Sequence, residues 1–172
     1  MRLPDTLVPD ESRRVSLPSG SNVDVPTTTP AFPEWRGEMP SDTYGGKSVL
    51  DANGHPAFAE LLILRRLERT GWTGVWIDTF RRTYRRYYWQ NDSEITLPER
   101  AQRALDTITD ANGSASGCFD VCAWTDEHLL FAEAKRNNHD AIRETQKEWL
   151  ESALNLGMPI DSFLIVEWTL DE

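Results

Sequence analysis

Two short apolar segments separated by a four-residue turn most strongly limit how this chain can fold. The first segment, "CFDVCAW", covers residues 118–124, and the second, "LLFAEAK", covers residues 129–135. Apolar, β-branched and aromatic residues between turn-forming residues are typical of strands. Strands joined by so short a connection pair as an antiparallel hairpin. The sequence therefore predicts a hairpin in which Trp124 pairs with Leu129.

This register places two acidic residues opposite each other. Counting back from Trp124, Asp120 lies opposite Glu133, with side chains on the same face and Cβ atoms roughly 5 Å apart. Two like charges repel in this position, and a bound divalent cation removes the conflict, since Mg²⁺ is commonly held by one or two carboxylates. Lys135 returns to the same face because side chains alternate along a strand. The opposite face is apolar and is predicted to be core: Phe119, Val121, Ala123, Leu130, Ala132 and Ala134.

The segment after the hairpin predicts a helix followed by a last strand. Residues 140–156 form an amphipathic pattern that ends at Gly157, and "SFLIVEW" then has the composition of a strand. Gln146 is the single polar member of an otherwise apolar helical stripe, so we expect its amide to point towards the sheet. An alternative interpretation is an ordinary core amide whose hydrogen bonds are satisfied.

Earlier segments predict two more helices and one more strand. Apolar residues recur with helical spacing after Pro56, and Gly71 suits the end of that helix. "TGVWIDTF" predicts a strand, and residues 97–110 predict a helix that begins near Pro98. The order of helices and strands indicates an α/β fold, in which a mixed sheet is flanked by helices on both faces.

The first 50 residues differ in composition from the rest. Seven of the ten prolines lie in the first 40 residues, among Ser, Thr and Asp, with little periodic hydrophobicity. We therefore predict a proline-rich N-terminal arm over residues 1–50, extended or partly ordered, and a single domain over residues 51–172.

Charge and hydropathy limit the partners. The net charge is -10, which disfavours capture of nucleic acid by a generally basic surface. No apolar run exceeds four residues, and the N-terminus lacks the apolar segment of a signal peptide. We therefore expect no membrane interaction and a cytoplasmic location.

One local cluster is basic and aromatic. "RRTYRRYYW", residues 81–89, contains Arg81, Arg82, Arg85 and Arg86 among tyrosines and a tryptophan. Arginines bind phosphates and aromatic rings stack on bases, so these arginines are candidate nucleic-acid contacts, together with Lys147 and Arg143 beside the inward glutamine. The alternative is that the aromatic rings pack, the arginines pair with nearby acids, and Lys147 lies on a solvated helix face.

The order of these motifs resembles the PD-(D/E)xK nuclease superfamily, and within it the VRR-NUC and Holliday-junction-resolvase-like branch. The similarity covers residues 117–168 and is carried by "GCFD", "FAEAK", "HDAIRETQKEWLESALNLG" and "FLIVEW". Phe119 stands where a proline usually precedes the first acid, and the basic triplet of the VRR branch is not evident.

The resemblance implies a restriction-endonuclease-like fold that hydrolyses phosphodiester bonds of DNA with Mg²⁺, for which Mn²⁺ can substitute. Asp120, Glu133 and the Ala134 carbonyl would hold the metal, and Lys135 would act on the attacking water or on the developing charge. Gln146 would orient these groups. In this superfamily the first helix usually carries a glutamate, which implies a metal role for Glu60; the alternative is an ordinary surface glutamate.

Three functional interpretations follow from the sequence. The first is a metal-dependent nuclease, structure-specific or not, and the resemblance also leaves a homodimer open. The second is a module of the same fold that binds nucleic acid or protein without cleaving it. The third is a structural or interaction protein in which the hairpin charges form only an ion-pair network.

Overall fold

A mixed β-sheet forms the centre of the protein in the computed structural model, which describes residues 2–79, 83–87 and 95–171. The strands that precede the first helix are β1 (Glu11–Ser16), β2 (Asn22–Thr28), β3 (Ala31–Phe32), β4 (Leu50–Asp51) and β5 (Pro56–Ala57). The later strands are β6 (Thr73–Asp78), β7 (Thr83–Arg85), β8 (Val121–Trp124), β9 (Leu129–Arg136) and β10 (Phe163–Leu170). The helices are α1 (Ala59–Glu68), α2 (Glu99–Asn112) and α3 (Glu144–Asn155).

The main sheet has the strand order β1-β2-β10-β9-β8-β6-β7, and β3 also pairs with β10. Strand β10 runs parallel to β9, β2 and β3, whereas the pairs β1–β2, β8–β9, β6–β8 and β6–β7 are antiparallel. Parallel neighbours need a crossover connection, and α3 provides it between β9 and β10. The sheet is therefore mixed.

Helices cover both faces of this sheet. Helix α1 packs on one face, where Leu61 and Ile63 join a cluster that includes Val121 from β8. Helices α2 and α3 pack on the other face, where Trp149 stacks on Phe119 and meets the rings of Phe131 and Phe163 edge-on. The predicted α/β fold, a mixed sheet flanked by helices, is confirmed at this level.

Helix and strand positions agree with most of the sequence predictions. The apolar stripe of α1 is buried, α2 begins directly after Pro98, and the left-handed Gly113 follows its last residue. Helix α3 begins at Glu144 rather than near residue 140. Within the described residues no helix combines the length and the apolar character needed to cross a bilayer.

The first 50 residues do not form an arm separate from the domain. Strand β2 pairs with β10 through Thr27 and Thr28, and β1 then pairs with β2 along its whole length. Val15, Val25 and Phe32 are buried in the two cores. The prediction was wrong because abundant prolines masked the alternation in "NVDVPTT". Pro26 is compatible with this sheet because it lies before the two residues of β2 that pair with β10.

One residue of the predicted apolar face points the other way. Phe119 packs against Trp149 beside α3, whereas Val121 and Ala123 face α1 as expected. Strand β8 begins only at Val121, so strict alternation does not extend back to Phe119.

Gly117 fixes the approach of α3 to the hairpin. Its φ is +83°, and a Cβ atom at this position would lie 1.9 Å from the Thr145 carbonyl oxygen and 2.8 Å from the Gln146 nitrogen. The backbone of the loop before β8 thus touches the first turn of α3, which leaves no space for a side chain.

We therefore predict that Gly117→Ala lowers the free energy of unfolding far more than Gly113→Ala, a matched control. Gly113 is also left-handed, but a Cβ atom there meets nothing within 4 Å. The control should cost about 1 kcal/mol of backbone strain, and Gly117→Ala a further 1–3 kcal/mol, roughly the cost of overpacking. Urea denaturation of both variants measures the difference, and equal costs would contradict the contact with α3.

Candidate active site

The predicted hairpin register is present and brings Asp120 beside Glu133. Trp124 pairs with Leu129 and Val121 pairs with Ala132. Asp120, one residue before β8, donates its backbone N–H to Glu133 Oε2 (3.2 Å). Its own Oδ2 accepts the backbone N–H of Ala134 (3.1 Å). Each acid therefore accepts a backbone N–H from the other arm of the hairpin, Glu133 from Asp120 and Asp120 from Ala134.

Lys135 and Gln146 complete a buried polar triad with Glu133. Lys135 Nζ lies 2.8 Å from Glu133 Oε1 and donates to Gln146 Oε1 at 3.0 Å. Gln146 Nε2 donates to Glu133 Oε1 at 2.5 Å. All three residues are at most 7% exposed. Gln146 thus points inward from α3, as the helical stripe predicts, and its contacts hold both charged side chains in place.

The first turn of α3 orients Gln146. Its Oε1 also accepts the backbone N–H of Arg143, the residue before the helix, at 3.0 Å. This is the reciprocal hydrogen bond of a capping box, which satisfies a backbone donor at the start of a helix. The same amide therefore caps α3 and reaches the strand carboxylate.

Glu60 approaches the two hairpin acids from α1. It lies in the first turn of that helix, is 4% exposed and pairs with Lys47. Lys47 Nζ also lies 5.2 Å from the centroid of the Trp76 ring. The sequence analysis missed Lys47 because it assigned residues 1–50 to an arm. A single lysine beside two glycines gave no sequence signal that could have corrected this.

Burial and the proximity of several carboxylates shift the pKa values of Asp120, Glu133 and Lys47. Burial and the neighbouring charges of Glu133 and Glu60 raise the pKa of Asp120 well above its ordinary value. Burial raises the pKa of Glu133 as well, although Lys135 and Gln146 oppose this shift. Burial lowers the pKa of Lys47, but the attraction of Glu60, Asp120 and Glu133 outweighs it and the net shift is upward.

These residues line one polar cavity of about 810 Å³. All six residues that the sequence assigned to catalysis or metal binding are found there: Glu60, Asp120, Glu133, Ala134, Lys135 and Gln146. Arg136, His139 and Arg143 contribute cationic or titratable side chains to the same lining. A ligand in this cavity would therefore meet acids at the sheet and basic residues around them.

The carboxylate oxygens of this cavity are the type of ligand that a hard divalent cation such as Mg²⁺ binds. In the part of the chain that the structure describes, no cluster of three or more His, Cys, Asp or Glu side chains is arranged to hold a metal ion. However, Mg²⁺ is often held by only one or two carboxylates. Three carboxylates, Glu60, Asp120 and Glu133, face two ammonium groups, Lys47 and Lys135. When all three carboxylates are ionised, the site carries excess negative charge that a bound cation would offset.

Of the predicted nucleic-acid contacts that the structure describes, Arg143 lines this cavity, whereas Arg85, Arg86 and Lys147 do not. Arg85 is 7% exposed, and its Nε lies 3.3 Å from Asp78. Its guanidinium lies over the Tyr44 ring. This buried position is not that of a surface contact to phosphate. Arg86 is partly buried, and Lys147 pairs with Glu144 away from the cavity lining. Arg81 and Arg82 lie outside the described residues.

Comparisons with protein-family models, curated proteins and solved structures found no match to this chain. The functional interpretation consequently depends on the geometry of the cavity and on the motif order.

The raised pKa of Asp120 leads to a prediction about pH. Well below pH 4 this carboxyl group is protonated in both the folded and unfolded states. As the pH rises, the unfolded state releases the proton first, so the folded state holds more protons and the free energy of unfolding falls. Asp120→Asn cannot ionise and should escape this loss.

We therefore expect the free energy of unfolding of Asp120→Asn, relative to that of the wild type, to be higher at pH 7.5 than at pH 4.5. Chemical denaturation in EDTA at both pH values measures the gain. Asp110→Asn, on the exposed surface of α2, is the matched control against which the effect of Asp120→Asn is measured. A gain that shrinks as the pH rises would show that burial does not penalise the Asp120 carboxylate.

Proposed function

We propose that this protein is a divalent-metal-dependent nuclease that hydrolyses phosphodiester bonds of DNA. One observation supports the proposal most directly: the two hairpin acids, a strand lysine and a helix glutamine line the same polar cavity. These are the residue types, in the same chain order, on which the sequence resemblance depends. Burying such a charge cluster between two apolar cores costs free energy. A function for the cluster would explain why the chain keeps it.

Each residue has a defined role in this proposal. Asp120, Glu133 and the Ala134 carbonyl would hold the ion, with Glu60 as a further ligand. Mg²⁺ or Mn²⁺ bound there would supply Lewis-acid polarisation of the phosphate and a water of lowered pKa. Lys135 would donate to the water or to the phosphate oxygen that gains charge. Gln146 would keep the Lys135 ammonium in position through the 3.0 Å hydrogen bond.

The basic side chains of the cavity lining would contact the DNA backbone. Arg136 is held by a 3.1 Å hydrogen bond to Ser48 and lies over the Trp168 ring, and Arg143 is exposed at the start of α3. Arginine binds phosphate oxygens in a bidentate manner. With a net charge of -10, such local contacts would replace a generally basic surface.

A binding module without cleavage activity is the second candidate. Both oxygens of Glu133 already accept hydrogen bonds, from the Asp120 backbone and from Gln146, and Lys135 pairs with the same carboxylate. A polar network that satisfies itself in this way needs no metal ion to be stable. In that case the cavity would serve recognition alone.

We predict that purified protein cleaves DNA only with Mg²⁺ or Mn²⁺, and that Asp120→Asn and Lys135→Met each lower the rate at least about 100-fold, as expected for loss of a group that acts in the transition state. The assay uses labelled linear, branched and single-stranded DNA. Asp110→Asn is the control and should retain the wild-type rate.

The same assay separates the two candidates. Retarded DNA mobility without any cleavage, in every metal tested, would favour the binding module over the nuclease. Cleavage that persists in Asp120→Asn and Lys135→Met would show that the activity lies elsewhere or in a contaminant.

A second prediction concerns DNA affinity. Arg136→Ala and Arg143→Ala should each weaken binding and lower the slope of log affinity against log salt by about 1, as expected for one lost phosphate contact. Fluorescence anisotropy at several salt concentrations, with EDTA to prevent cleavage, gives both quantities. Arg14→Ala, which removes an exposed arginine paired with Asp24 on β1 and β2, is the control. Equal slopes in all proteins would exclude the cavity as the backbone contact.

A further inference from the structure

The segment between β3 and β4 places a second lysine ammonium group, that of Lys47, in the candidate site. Tyr44, Gly45 and Gly46 all have positive φ (52°, 82° and 92°), so the chain turns sharply just before Lys47. The Tyr44 ring packs against Phe58 at 5.3 Å and against Trp76 at 5.4 Å. This aromatic contact anchors the turn and directs Lys47 towards the cavity.

Lys47 is fixed there by charge as well as by rings. Its ammonium pairs with Glu60 and lies 5.2 Å from the centroid of Trp76 and 5.9 Å from that of Phe58. A cation over an aromatic face is attracted by the ring quadrupole. The Lys47 side chain is 39% exposed, whereas the Glu60 side chain is 5% exposed. Lys47 thus enters from the cavity mouth and ends on a buried carboxylate.

The two lysines of the site divide its carboxylates between them. Lys135 is committed to Glu133 and Gln146. Lys47 pairs with Glu60 and is attracted by Asp120. Without Lys47, the buried acids Glu60 and Asp120 would face each other, because the other lysine, Lys135, is already paired with Glu133.

We propose that Lys47 is a built-in counter-cation that competes with a divalent metal ion for Glu60 and Asp120. A metal ion that binds these carboxylates must displace the ammonium or tolerate its repulsion at short range. Displacement towards the mouth is open, since the Lys47 side chain is already 39% exposed to solvent. Lys47 would therefore stabilise the metal-free site and set the metal concentration at which the site fills.

The test measures metal binding directly. The free Mn²⁺ signal in electron paramagnetic resonance gives the dissociation constant of wild type and of Lys47→Met, which removes the charge and keeps the stem. We expect roughly tenfold tighter binding by Lys47→Met, the change that corresponds to about 1.4 kcal/mol less repulsion. Lys47→Arg, which keeps the charge, should bind Mn²⁺ as the wild type does.

Lys147→Met is the matched control. Lys147 is also a lysine that pairs with a glutamate, Glu144, but it does not line the cavity, so its loss should leave the Mn²⁺ affinity unchanged. Thermal denaturation without metal shows that each variant is folded, and Lys47→Gln carries the same test if Lys47→Met is not. Equal or weaker Mn²⁺ binding by the charge-free Lys47 variant, or no Mn²⁺ binding by any of the proteins, would overturn the proposal.

This inference rests on the proposed function only in taking the cavity to be a cation site. The Mn²⁺ titration needs neither DNA nor turnover, so the two proposals fail separately. Tighter Mn²⁺ binding by Lys47→Met without DNA cleavage would retain the role of Lys47 and reject the nuclease. Cleavage with an unchanged Mn²⁺ affinity would retain the nuclease and reject the role of Lys47.

Discussion

The opposition of Asp120 and Glu133 on neighbouring strands is the constraint to which the rest of the site responds. Two carboxylates in a partly dry environment repel each other, and burial raises the pKa of both. The sheet accommodates them through backbone N–H donors, since Asp120 and Ala134 each donate to the other strand's acid. Lys135 and Gln146 then supply charge and hydrogen bonds to Glu133. The hairpin alone could not keep this pair buried.

The layers of the fold explain how these compensating groups arrive. Helix α3 is the crossover between the parallel strands β9 and β10, and its first turn therefore lies near the end of β9, where Gln146 meets Lys135. Helix α1 covers the opposite face and brings Glu60 in its first turn. The N-terminal residues add strands beyond β10 and then return to deliver Lys47. Four separated segments of the chain thus meet at one cavity.

Local patterns in the sequence were sufficient to predict the elements whose structure depends on residues close together in the chain. The periodic stripe of α1, the Pro98 start of α2 and the four-residue hairpin turn each specify an element through local sterics and side-chain spacing. Register follows from the turn, so the neighbourhood of Asp120 and Glu133 was predictable. The N-terminal strands were not, because their pairing with β10 is a long-range contact and proline obscured their alternation. For Arg85 the sequence left two alternatives open, a phosphate contact or a pair with a nearby acid, and its pairing with Asp78, seven residues away on the neighbouring strand, favours the second.

By itself the sequence determined a mixed α/β fold and the set of acids, lysine and amide that share one site, because strand alternation and helical periodicity fix the face on which each side chain lies. Only the tertiary structure decided that Lys47 pairs with Glu60 and that Arg136 lines the cavity. Lys47 is 13 residues from Glu60 in sequence, and the aromatic packing of Tyr44 on Phe58 and Trp76 brings it there. Such contacts depend on how separate layers pack, and no local pattern of residues encodes that.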